Sequence, residues 1–154
     1  MELNLEFSSL MEKPVKSKNQ IVVPSSLNYL AEVDKFVEKR LKKSGLTKSQ
    51  LADIAISVTE AVTNAMLHGN KNDPKKKVRV DLDIKPSEVT ITIQDQGNGF
   101  DPDKVPNPTE GDLIKVAGRG VFIYKALMDK VEFFIKPHQG TKVKMVKRVK
   151  PESS

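Results

Sequence analysis

One stretch in the middle of the chain leaves little choice of fold. It reads VRVDLDIKPSEVTITIQ from Val78 to Gln94. Val78, Val80, Leu82 and Ile84 alternate with Arg79, Asp81 and Asp83, and after a KPSE connector (Lys85 to Glu88) Val89, Ile91 and Ile93 alternate with Thr90 and Thr92. Successive side chains of a strand point to opposite faces. Strict alternation on both arms therefore demands an antiparallel hairpin with one apolar face and one wet face. A lone hairpin cannot bury its apolar face, so flanking segments must cover it.

The flanks read as helices. Thr47 and Gln50 have capping-box spacing, and Leu51, Ile54, Ala55, Val58, Ala61, Val62 and Ala65 follow the helical period until Gly69, which is placed to end the helix. Earlier, Gln20 to Val23 form a short strand that Pro24 stops. Ser25 or Ser26 then caps a helix with Leu27, Leu30, Val37 and Leu41 near one face, ending around Gly45. After the hairpin, about Val121 to Asp129 form a third helix, apolar on most sides and expected to be buried. Val131 to Ile135 and Lys142 to Val149 follow as strands around PHQGT. Leu3, Leu5 and Phe7 alternate with polar neighbours, as a half-buried strand would. The sum is an α+β fold: a two-layer α/β sandwich with a mostly antiparallel sheet and helices on one face. The 154 residues are expected to make a single domain over 1–154, with a core of about 22–146 and a basic, polar tail at 147–154.

Composition narrows the function classes. There are no cysteines, which excludes disulfide frameworks and thiolate metal sites. The net charge of +6 invites an anionic partner, but the basic residues are mostly lysines and aromatics make up only 5%. Direct nucleic-acid binding is therefore not expected. No apolar run is long enough to span a bilayer, and MELNLEFSSLMEK lacks the basic start of a secretory signal. The expectation is a cytoplasmic protein with no membrane partner.

Polar residues in unusual places carry the chemistry. Within EAVTNAMLHGN, Glu60, Asn64 and His68 are spaced by four, which places them on one stripe of a helix. Asn is a mediocre helix former because its side chain competes for backbone groups. Taken alone, such a triple is the solvated edge of an amphipathic helix. DQGNGF follows a strand directly, with Gly97 and Gly99 suited to a turn. The stretch from Asp95 to Gly120 is rich in Gly and Pro and too long for an idle connector. It closes with Gly118, Arg119 and Gly120 at a helix start, where free N–H groups can hold phosphate.

The order of these pieces resembles the GHKL ATPase superfamily, whose members share the Bergerat nucleotide fold. SVTEAVTNAMLHGN is similar to the N-box of its anti-sigma factor serine/threonine-protein kinase branch, QDQGNGF to the first glycine box, and GRGVFIYKALMD to the second. The resemblance implies a kinase that uses ATP and Mg²⁺. It assigns Asn64 to the metal ion and the nucleotide, and Glu60 to the attacking hydroxyl as the catalytic residue. Asp95 would accept a hydrogen bond from the adenine amino group, and Gly97 and Gly99 would let backbone approach the base. Thr141 would add a hydroxyl near the adenine. Gly118, Arg119 and Gly120 would close over the phosphates, with Asn107 to Ala117 as the ATP lid. Phe100 and Val121 belong to the same boxes and join the nucleotide-binding set. His68 either borders the phosphates or closes its helix near the negative end. The implied partners are a STAS-domain anti-anti-sigma protein and a sigma factor, with a homodimer as a further option. An ATP-gated binding switch without phosphotransfer is the alternative. A detached histidine-kinase half is weaker, because the chain has no room for a phosphoacceptor helix pair.

Overall fold

The computed structural model describes residues 13–97, 120–136 and 139–149. Strand β1 (Val15–Lys16) pairs with β2 (Gln20–Pro24) at one edge of the sheet. A 3₁₀ turn, Leu27–Tyr29, leads into α1 (Leu30–Leu41) and then α2 (Lys48–Asn64), which ends in a π turn, Ala65–Gly69. The predicted hairpin is β3 (Lys77–Ile84) and β4 (Glu88–Gln94). Helix α3 (Gly120–Leu127) precedes β5 (Lys130–Lys136) and β6 (Gly140–Arg148). The six strands lie in the order β1-β2-β3-β4-β6-β5, and every neighbouring pair is antiparallel. The alternating strand at Leu3 to Phe7 lies outside the described residues.

The alternation sets the register. Val80 faces Ile93 and Leu82 faces Ile91, and Lys85 N donates to Glu88 O at 2.9 Å to close the KPSE turn. Val78, Val80, Val89, Ile91 and Ile93 are buried against Val33, Phe36 and Val37 of α1 and Ile54, Val58 and Val62 of α2. The helices thus cover one face, and Arg79, Thr90, Thr92, Lys142 and Lys144 stand on the other. The capping box is present: Gln50 N donates to Thr47 Oγ1 and Thr47 N to Gln50 Oε1, each at 3.1 Å.

The structure differs from the sequence pattern at several places. Ser26 accepts from Asn28 N, so it caps the 3₁₀ turn and not α1 itself. That turn shifts the helical phase, leaving Leu27 46% exposed while Val33 and Phe36 take the core positions. Ala55 is exposed on α2. Helix α3 buries Tyr124, and Met128 just after its end is buried too, but Ile123 is exposed. β6 runs on to Arg148, two residues into the stretch read as a tail. Lys147 is buried there, its Nζ donating to Asp53 Oδ2 at 3.0 Å and to the Leu127 carbonyl at the end of α3.

Candidate active site

β4 ends at Gln94, and the next residue, Asp95, turns its side chain into the protein at 5% exposure. Its backbone N–H donates to Thr141 O at 3.0 Å. Its Oδ1 accepts from Gly97 N at 2.9 Å and Thr141 N at 3.0 Å. Burial pushes the carboxyl above the usual aspartate range, and the Gly97 and Thr141 N–H groups and the Lys76 charge only partly oppose that.

Three glycines make this placement possible. A methyl group on Gly69 would lie 2.1 Å from Asp95 Oδ2, one on Gly97 1.9 Å from Gly69 O, and one on Gly140 2.3 Å from Asp95 O. Gly140 also holds φ +108°, a conformation that side chains rarely tolerate. The end of the π turn, the D-x-G turn and the start of β6 therefore meet around one carboxylate. Sequence reasoning marked Gly97 for the site but took Gly69 as a helix stop and Gly140 as a hairpin turn. Their only local signal is position, directly beside His68 and Thr141.

Asn70 was also missed as a site residue. It is fully buried and satisfied: Nδ2 donates to Ser25 Oγ at 2.6 Å and Lys77 O at 2.9 Å, and Oδ1 accepts from Gln96 N at 2.7 Å. It ties the end of the π turn to the strands and to the Asp95 turn.

Glu60 and Asn64 are half-buried on the last turns of α2. His68 does not continue their stripe. Asn70 N donates to Ala65 O at 2.8 Å, an i to i+5 bond that inserts a π turn after Asn64. The wider turn breaks the spacing of four, and His68 is exposed. Such π bulges concentrate at functional sites.

Beyond Asn64 stands Tyr124 of α3, 1% exposed. Its hydroxyl is in electrostatic reach of the Asn64 side chain and the Glu60 carboxylate. Burial, reinforced by Glu60 and opposed by the Asn64 side chain, pushes the phenol well above its usual range, so it stays protonated. Asn64 Nδ2 is buried without a hydrogen-bond partner. A half-turn about χ2 exchanges Nδ2 and Oδ1, so this side chain can offer a donor or an acceptor. An unsatisfied buried amide on the helix whose following π turn packs against a glycine-lined carboxylate fits a bound nucleotide. It also fits Mg²⁺, which keeps waters and phosphate oxygens and needs few protein ligands.

Thr141 reaches Asp95 through its backbone, and its side chain is half-buried. Gly120 opens α3 and Val121 follows in its first turn. Gly99, Phe100, Gly118, Arg119 and the Asn107 to Ala117 stretch lie outside the described residues.

Comparison with known proteins decides what this arrangement belongs to. The histidine kinase-like ATPase domain matches residues 23–147. The chain belongs to the histidine kinase-like ATPase family. Within it, the chain falls in the branch of anti-sigma factor kinases. It is 37% identical over 106 residues to the anti-sigma F factor of Oceanobacillus iheyensis, covering 67% of this chain and 73% of that protein. It is 30% identical over 151 residues to the anti-sigma F factor of Anoxybacillus flavithermus, covering 96% and 92%. The serine-protein kinase RsbW of Staphylococcus aureus is 29% identical over 138 residues, covering 84% and 86%. Among solved structures, the RsbU and RsbW domains of a Mycobacterium tuberculosis protein share the fold with a TM-score of 0.62 at 20% identity, over 89% of this chain and 32% of that one. The SiaB–SiaC complex from Pseudomonas aeruginosa contains a chain with a TM-score of 0.61 at 13% identity, over 94% and 96%. The α+β sandwich and the family read from the three sequence boxes are both borne out.

Proposed function

We propose that this chain is an ATP-dependent serine/threonine-protein kinase that acts as an anti-sigma factor and phosphorylates a STAS-type anti-anti-sigma protein. The observation that carries this reading is the convergence of the Asp95 carboxylate, in its glycine cradle, with the helix that bears Glu60 and Asn64. The names of the relatives support the same reading: anti-sigma F factor and serine-protein kinase.

Each residue has a physical task. Asp95 accepts a hydrogen bond from the exocyclic amine of adenine. Guanine presents a carbonyl at that ring position, so a carboxylate repels it. Gly97 lets the base lie against backbone. Asn64 offers an amide oxygen to Mg²⁺, which neutralises charge on the phosphates when bound. Glu60, one helical turn before Asn64, orients the serine or threonine hydroxyl of the partner and takes its proton as the oxygen attacks phosphorus. Thr141 and the Gly118 to Val121 segment complete the nucleotide contacts, together with Gly99 and Phe100. His68, exposed beyond the π turn, is left to border the phosphates from outside. Sequestration of a sigma factor, and pairing with a second copy of the chain, belong to the same reading. Among the described residues no helix is long and apolar enough to cross a membrane.

The test is direct. The protein is incubated with γ-labelled ATP and candidate STAS partners, and label is sought on a partner serine or threonine. Transfer that requires Mg²⁺ and prefers ATP to GTP supports the kinase. A protein that binds ATP tightly but labels none of its binding partners is the ATP-gated switch instead.

A further inference from the structure

The excess positive charge of the chain is gathered in one place. Helix α1 carries Lys35, Lys39 and Arg40 on its surface, and the β1–β2 hairpin brings Lys16 and Lys18 beside them. Two adjoining surface depressions, of about 680 and 520 Å³, share Lys39 and Arg40 as walls. Together they form one trough lined by these five cations and a single carboxylate, Glu32, which Lys16 already holds at 2.6 Å. Like charges gathered this closely repel one another, and a covering anion removes that repulsion.

Arg40 is fixed in place before any ligand arrives. Its Nε donates to Lys18 O at 3.0 Å and its Nη2 to Ser17 O at 3.5 Å. The guanidinium carbon lies 3.9 Å from the centroid of the Phe36 ring. A ring below and two carbonyls at one edge leave the remaining N–H groups for a ligand. A planar guanidinium matches a carboxylate in two parallel bonds, and ordering it beforehand spares the entropy of doing so on binding. Among the described residues no carboxylate pairs with Arg40, Lys18, Lys35 or Lys39.

The lining selects among anions. Phe36 is covered by Arg40 and only 3% exposed, so no aromatic face in the trough is open for a nucleic-acid base to stack on. Ala31 and Ile84 give apolar surface at its two ends, with lysine stems between them. Mixed apolar and cationic surface suits an amphipathic acidic segment of a protein. The same face of a second copy would bring like charge.

We propose that the trough between α1 and the β1–β2 hairpin is a docking surface for an acidic amphipathic segment of a partner protein, with Arg40 as its anchor. It contains none of Glu60, Asn64 and Asp95, so it stands or falls apart from the kinase reading.

The probe is a fluorescein-labelled helical peptide of alanine and leucine with glutamates at every fourth residue, and its matched control carries glutamines instead. Fluorescence anisotropy with the full chain should show binding of the glutamate peptide alone, weakening as salt rises. Lys35→Glu with Lys39→Glu reverses two exposed charges in the trough, and Lys48→Glu with Lys75→Glu makes the same change of net charge on exposed residues elsewhere. The first pair should weaken binding about 10-fold or more, the second less than about 2-fold. Arg40→Lys keeps the charge and loses the planar fork, so affinity should fall about 3- to 10-fold. Equal losses in the two lysine pairs would mean that net charge alone attracts the peptide, and would overturn the proposal. So would an Arg40→Lys protein that binds as wild type does, or a DNA duplex that binds more tightly than the peptide at the same salt. If Arg40→Lys melts early, the lysine pairs, which lie on the surface, decide alone.

Discussion

Asp95→Asn separates what the buried carboxylate does for the ligand from what it does for the fold. The two backbone donors, Gly97 N and Thr141 N, both bond to Oδ1. An asparagine can keep both bonds by turning its oxygen the same way. What changes is the other end, on the Gly69 side, where an amide nitrogen replaces a charged oxygen. Adenine then meets a donor where it needs an acceptor. Loss of a charged hydrogen bond costs about 1.5–3 kcal/mol, so ATP affinity should fall roughly 10- to 150-fold. Stability should move the other way. Burial raises the Asp95 pKa in the folded protein. A raised carboxylate contributes stability that is full below the unfolded value of about 3.9 and is lost as pH rises through the folded value. The asparagine undergoes no such loss. Relative to the variant, ligand-free wild type should therefore lose stability as pH rises above about 4. The assays are calorimetric titration with ATP, ADP and GTP, and thermal melts across that pH range. Unchanged ATP affinity in the variant would refute the adenine assignment. A large drop in the variant's melting temperature at neutral pH would refute the desolvation argument, because it would mean the hydrogen bonds to the charged oxygen outweigh its burial.

Glu60→Gln keeps size and removes basicity, so single-turnover phosphotransfer should slow by about 10²–10⁴-fold while ATP affinity is retained. An unchanged rate would remove Glu60 from the mechanism. Gly140→Ala must place a methyl group 2.3 Å from Asp95 O at φ +108°. It should cost roughly 1–3 kcal/mol or more, a melting-temperature loss of several degrees, and it should weaken ATP binding because Asp95 is displaced. Asp53→Ala leaves the buried Lys147 ammonium with only the Leu127 carbonyl, whereas Lys147→Met removes the charge and keeps the stem. Chemical denaturation should therefore rank Asp53→Ala as the less stable of the two, by roughly 1–3 kcal/mol.

What the sequence made legible is local and periodic. Alternation reports directly on which face of β3 or β4 is buried, and the Thr47–Gln50 box marks a helix start within four residues of chain. What it hid depends on distant partners or on small changes of phase. Lys147 looks like a solvated tail residue until its partner Asp53, 94 residues away, is placed beside it. Asn70 looks like a loop residue, but its three partners come from the β2 end, the β3 start and the Asp95 turn. The π turn was invisible because Ala65 and Met66 are buried as an unbroken helical period would predict, and the shift shows only at His68. Gly69 and Gly140 carry the same letter whether they end an element or make room for a carboxylate. The motif residues Glu60, Asn64, Asp95 and Gly97 were found because their order along the chain is unusual, not because any one of them is informative alone.

The site is joined by two small hubs, and their arrangement explains why it works as a unit. Asp95 links the end of β4 to the start of β6 through Thr141, and it sits against Gly69. Asn70, immediately after Gly69, accepts from Gln96 N, immediately after Asp95. The Asp95 carboxylate and the π turn that follows α2 are thus crossed over each other by contacts made at Gly69 and Asn70. Asp95 cannot shift without moving the π turn, and the π turn is continuous with the helix that carries Asn64 and Glu60. In the proposed kinase, Asp95 is therefore held at a fixed offset from Glu60 and Asn64. Near-rigid spacing of this kind suits phosphoryl transfer, where the protein contributes position and charge more than covalent chemistry. Helix α3 stands outside this rigid pair. It packs along α2 with Tyr124 buried, while the Lys147–Asp53 clamp anchors its far end at Leu127. Its far end is thus fastened to α2 and β6. An altered seating of α3 would therefore be felt first along α2, the helix that bears Glu60 and Asn64, and not at the Asp95 turn, which is held by Gly69, Asn70 and Thr141.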